Sequence, residues 1–121
     1  MTPIVVELPS PVLLLVGRED FDPPRSFGDA TCVATADCVA TGIRPRAAGP
    51  TTVTLVADRP ARGLVELGSH VIETEGMLSL RDVYSREYAN IGVEPGHVAV
   101  TAWGDDPAGP GELVLQVQPA P

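Results

Sequence analysis

The chain closes on VEPGHVAVTAWGDDPAGPGELVLQVQP, residues 93–119, and the reading of this stretch decides the fold. Val98, Val100 and Ala102 recur at every second position, and Leu113, Leu115 and Val117 do so again beyond a loop of Asp, Pro and Gly. A period of two marks a strand with one buried face. The stretch therefore predicts two antiparallel strands joined by a short, stiff loop. Trp103 is in phase with His97, Ala99 and Thr101, which places it on the outer face of its strand. Exposed there, it would be a candidate interface anchor, since tryptophan is enriched among binding hot spots.

The same period runs upstream. In PIVVEL, 3–8, Ile4, Val6 and Leu8 share a face, whereas VLLLV, 12–16, is apolar throughout, as in a strand covered on both sides. DCVATGIR, 37–44, reads as a strand and PRAAGP as a loop; TVTLVA, 52–57, turns Val53, Leu55 and Ala57 inward, and DRPARG, 58–63, is a turn. LVELGSHVIETEGMLSLRDV, 64–83, reads as a hairpin turning at Glu75-Gly76. Val65, Leu67 and Val71 would face the core from its first arm and Leu78 and Leu80 from its second, with a bulge at Gly68. YSREYANIG, 84–92, reads as irregular chain crossing between sheets, and Pro95-Gly96 as a turn. The longest loop of the first half is GREDFDPPRSFGD, 17–29. Ser26 and Asp29 at its end have capping-box spacing, which predicts a short helix over about 27–35. Thr31, Val33 and Thr35 oppose that helix, because β-branched side chains lose rotamers in it. The expected fold is all-β: one domain over residues 1–121, an antiparallel β-sandwich of about eight strands with at most one short helix.

The charge is lopsided. Residues 1–60 hold seven acids and five arginines, a net −2, while residues 61–121 hold nine acids and three arginines, a net −6. Lysine is absent. Such a field repels nucleic acid and anionic membranes and attracts basic partners. The start, MTPIVVELPSPVLLLVGRED, has no basic leading segment, and Glu7, Pro9 and Pro11 break its apolar run, so a cytoplasmic protein is expected. Cys32 and Cys38 are then reduced, and their C-x5-C spacing reads as buried small side chains rather than a zinc signature. No metalloprotease, nucleophile-elbow, Walker or dinucleotide motif is present, and no nucleophile–base pair can be named from spacing. The glycine-rich GDDPAGPG, 104–111, lacks the lysine of a phosphate loop, and its aspartates would repel phosphate. The acids of EDFD and GDD supply oxygen donors without EF-hand spacing. No catalytic residue, metal ligand or cofactor is expected.

Four segments stand in a telling order: GREDFDPPRSF, HVIETEGMLSLRDV, IGVEPGHVAVTAWG and GELVLQV. Together they resemble the competence protein J family, inhibitors of the nuclease that acts in DNA uptake, and also small actinobacterial proteins of unknown role. The resemblance covers most of residues 12–118 and is most specific from Val71 to Trp103. It implies a small β-sandwich that binds and silences a nuclease. Composition departs from that family in the absence of lysine and the abundance of alanine, proline and arginine, so the partner expected here is a basic protein, a nuclease or a toxin. The candidate partner-binding residues are Glu19, Asp20 and Asp22 in the proline-flanked loop and Asp105, Asp106 and Glu112 around the closing hairpin. The alternatives are a small-molecule or metal-binding sandwich and a structural subunit of an assembly.

Overall fold

Alternating residues do close into two sheets. The computed structural model describes residues 3–60 and 63–120; Ala61 and Arg62 of the expected 58–63 turn lie outside them. The strands are β1 (Ile4–Val6), β2 (Val12–Val16), β3 (Cys32–Ala34), β4 (Cys38–Gly42), β5 (Thr51–Val56), β6 (Val65–Thr74), β7 (Met77–Arg81), β8 (Glu87–Gly92), β9 (Gly96–Gly104) and β10 (Glu112–Pro119). One sheet has the order β1-β5-β10-β9-β6 and the other β3-β4-β2-β7-β8. Among the described residues the strand number is thus ten rather than about eight, the additions being β3, where a short helix was expected, and β8, where irregular chain was expected. The closing hairpin is as expected, with Leu113 opposite Gly104 and Pro119 opposite Val98. One pair departs from the antiparallel expectation: β10 also lies parallel to β5, Glu112 opposite Thr52 through Gln116 opposite Val56.

The core lies between the sheets. Val53, Leu55, Ile72, Val98, Val100, Leu113 and Leu115 of the first meet Leu13, Leu15, Val39, Leu78 and Leu80 of the second. A second, smaller cluster, Leu14, Val16, Cys38 and Ala40, sits on the outer side of the second sheet under Phe21 and Phe27. The long 17–29 loop is therefore a strap laid over that sheet, which is why VLLLV needs no polar face.

Several expectations are corrected. No helix forms over 27–35: Cys32–Ala34 pairs with β4 instead, and the helical content of the described residues is one 3-10 turn, Arg46–Ala48. The β-branched residues there favour the extended chain. Glu75-Gly76 does not close a hairpin, since β6 pairs with β9 and β7 with β2 and β8. The chain changes sheets at that corner. Thr74 Oγ1 donates to the Met77 carbonyl at 2.6 Å and accepts from the Gly76 and Met77 N–H groups at 3.2 Å. Thus a side chain takes bonds that a hairpin ladder would use, and Gly76 supplies the φ of 121°. Val65 and Val71 are exposed, while Leu67 is half-buried and Ile72 and Thr74 are buried. The expected bulge, between Glu66 and Gly68, shifts the inward phase. Ala57 lies just past the end of β5 and is exposed. Residues 87–92 are not irregular but the edge strand β8, and the crossing to the first sheet falls at 93–95. Trp103 does point outward, yet only 9% of it is exposed: Arg59 lies over its ring at 4.9 Å and its Nε1 donates to Gln116 at 3.2 Å.

Candidate functional site

β2 separates the candidate acids. At its C-terminal end Gly17 N–H donates to the Asp37 carbonyl, and Glu75 N–H donates to the Gly17 carbonyl, both at 2.9 Å. These bonds bring the start of the strap, the β3–β4 turn and the Glu75-Gly76 corner to one pole. Asp22 joins them, its N–H donating to Asp37 Oδ1 at 3.0 Å. Pro95 packs on Gly76 and carries Glu94 there. Six acidic residues (Asp20, Asp22, Asp37, Glu73, Glu75 and Glu94) thus stand at this pole, three of them (Asp20, Glu73 and Glu75) paired with Arg18, whereas Glu19 turns back onto Arg81, which lies opposite Leu14 in the middle of β2.

The two arginines organise part of the cluster. Arg18 Nε lies 3.2 Å from Asp20 and 3.4 Å from Glu75, and its Nη1 lies 3.9 Å from Glu73. Its pKa is raised, first by the hydrogen bond and charge of Asp20 and then by Glu75. Arg81 is buried; it donates from Nη2 to Glu19 at 2.8 Å and from Nε to Ser79 at 3.0 Å. Glu19 is therefore held against the protein itself. Asp37, Glu73, Glu75 and Glu94 were absent from the sequence-derived candidates. Their signal was position: each stands in or beside a turn or sheet crossing, where chain ends of different strands meet.

Asp105, Asp106 and Glu112 lie at the other end of β2. Arg44, two residues beyond the Gly42 that faces Val12, donates its N–H to the Pro110 carbonyl at 3.1 Å. Asp105 Oδ1 accepts the N–H groups of Gly111 (2.9 Å) and Glu112 (3.1 Å), and Asp106 Oδ1 accepts that of Ala108 at 2.8 Å. These aspartates shape their own loop, as Asx turns do. The six candidates form two clusters about five strand residues apart, on the order of 16 Å by strand rise alone.

A third group is buried beside the strap. Asp82, 2% exposed, accepts the N–H groups of Tyr84 (2.8 Å) and Arg86 (3.1 Å) at Oδ1 and the Tyr88 hydroxyl (2.9 Å) at Oδ2. Burial pushes its carboxyl up, but these three bonds and the Arg86 charge outweigh it and hold the pKa below the ordinary value. The cysteines are free and buried. Burial, then the Asp37 and Asp22 charges, push the Cys38 thiol up to about 12. Among the described residues no group of three or more His, Cys, Asp or Glu side chains could hold a metal ion, and no helix is long and apolar enough to cross a membrane.

No protein-family model and no curated protein matches the chain. Among solved structures it is similar to the crystal structure of ComJ from Bacillus subtilis, an inhibitor of the DNA-degrading activity of NucA. The TM-score is 0.73 at 9% identity, over 99% of this chain and 96% of that one. The chain has a ComJ-like fold, as the sequence resemblance implied.

Proposed function

We propose that this protein is a non-enzymatic binding module that inhibits a basic protein, a nuclease or a toxin, by offering it an acidic pole. The observation that carries the reading is the gathering of six acidic residues from four chain segments at one pole, three of them around the guanidinium of Arg18. A nuclease groove is built to neutralise phosphates, so a fixed array of carboxylates can occupy it in their place. The ComJ-like fold adds support, because ComJ inhibits a DNA-degrading activity. Asp20, Asp22, Glu75 and Glu94 are the principal contacts. Glu19 is oriented by Arg81. Asp105, Asp106 and Glu112 form a separate patch at the far end.

The test is a titration of the nuclease encoded nearest this gene in the source genome, with loss of DNA degradation as the readout. Stoichiometric inhibition that weakens with added salt supports the proposal. Undiminished DNA degradation at tenfold molar excess in low salt rejects it.

A further inference from the structure

A groove of about 550 Å3 opens on the outer side of the second sheet, between the strap and the turn joining β7 to β8. Its walls are Leu14, Phe21, Pro23, Phe27 and Val83, and the charged side chain in its lining is Glu19. Glu19 pairs with Arg81 at 2.8 Å but its side chain stays 72% exposed, so the groove presents a carboxylate at its mouth. The opposite wall is stiff. Asp82 takes the N–H groups of Tyr84 and Arg86, and Ser85 is held at φ 67°, a conformation that is costly for a residue with a side chain. That turn leaves Val83 43% and Tyr84 77% exposed. A buried carboxylate and a strained serine thus hold two large apolar side chains in water beside a groove.

We propose that this groove receives an apolar side chain of the basic partner, one with a lysine or arginine beside it, while Tyr84 packs on the partner's surface next to that anchor. The anchor meets Leu14 and Phe27, and its neighbouring cation meets the exposed side of Glu19. Pre-ordered aromatic and aliphatic contacts contribute affinity because little rotamer freedom is lost on binding. The inference deepens the functional proposal and rests on it only for the positive charge of the partner.

The probe is the capped tripeptide Lys-Phe-Lys, titrated to millimolar concentration into the 15N-labelled protein, with Glu-Phe-Glu and Lys-Ala-Lys as comparators. Lys-Phe-Lys should shift the amide signals of Phe27, Ala40, Val83 and Ser85, and the comparators should not. Val83→Ser, a surface change, should weaken that binding about fivefold, the equivalent of losing part of one apolar contact. Absence of shifts, equal shifts with Glu-Phe-Glu or Lys-Ala-Lys, or shifts confined to residues outside the groove would each overturn the proposal. Nuclease inhibition without a Lys-Phe-Lys site sinks the groove alone. A Lys-Phe-Lys site without nuclease inhibition sinks the inhibitor reading alone.

Discussion

Single residues here are tuned by what surrounds them, and the tuning is measurable. Asp82 and Tyr88 share one hydrogen bond of 2.9 Å. The folded Asp82 carboxyl titrates below its ordinary 3.8, so its contribution is present above that value and is lost as pH falls through the lowered one. Tyr88 moves the other way: burial and then the Asp82 bond and charge hold its phenol above the ordinary 10. Its contribution is present below pH 10 and is lost as pH rises through the raised value. Asp82→Asn should cost about 2 kcal/mol at neutral pH, some 8 °C in melting temperature, and should flatten the wild-type decline below about pH 4. Thermal unfolding between pH 2.5 and 8 checks it; an unchanged acid limb would show that other carboxylates set that decline. The cysteines give a second residue-scale prediction. Cys32 faces the inter-sheet core while Cys38 faces the strap, so opposite sides of one sheet keep the thiols apart. With Cys38 at about 12, the native protein should not react with Ellman's reagent at pH 8, and denaturant should release both thiols to it.

Elements join at tight approaches that a linear sequence does not reveal. Where β2 ends, a Cβ on Gly17 would stand 2.1 Å from the Glu73 carbonyl oxygen and 3.0 Å from the Thr74 Cα. These are backbone atoms and cannot swing aside. Gly17→Ala should therefore destabilise the fold by about 3 kcal/mol, seen as a lower urea midpoint at unchanged slope. Gly111→Ala is the contrast: its new Cβ would first meet the guanidinium of Arg44, a side-chain end whose Nε donates to the Pro50 carbonyl at 3.0 Å, so relief takes that hydrogen bond rather than backbone and should cost about 1 kcal/mol. The same distinction explains what was legible. β9 and β10 could be read because each keeps a period of two over eight or nine residues and closes locally. The Thr74–Met77 corner looked like a hairpin because its Glu-Gly turn has the composition of one. Pairing, which is non-local, sent its two arms to different sheets. β6 was placed out of phase because one bulge residue reverses every side chain after it.

Across the whole molecule, the acidic surface was half legible. Net charge and the Glu19–Asp22 segment pointed to a pole, but Asp37, Glu73, Glu75 and Glu94 are distant in sequence and only the fold assembles them. The closing hairpin looked equivalent in composition, yet Asp105 and Asp106 spend acceptor oxygens on loop N–H groups. The two clusters are far enough apart to be separated by mutation. Exposed charges act mainly through the encounter rate, and salt screens them over about 8 Å at physiological ionic strength. The triple change Asp20→Asn, Asp22→Asn, Glu75→Gln should lower the association rate with a basic nuclease roughly tenfold at low salt and flatten its salt dependence. Asp105→Asn with Asp106→Asn keeps the loop acceptors, removes only charge, and should change that rate less than twofold. Stopped-flow association from about 20 to 300 mM NaCl separates the cases. A loss from the hairpin pair equal to that from the triple would mean that the partner spans both ends, and that the strap between them, with its apolar groove, lies at the centre of the contact.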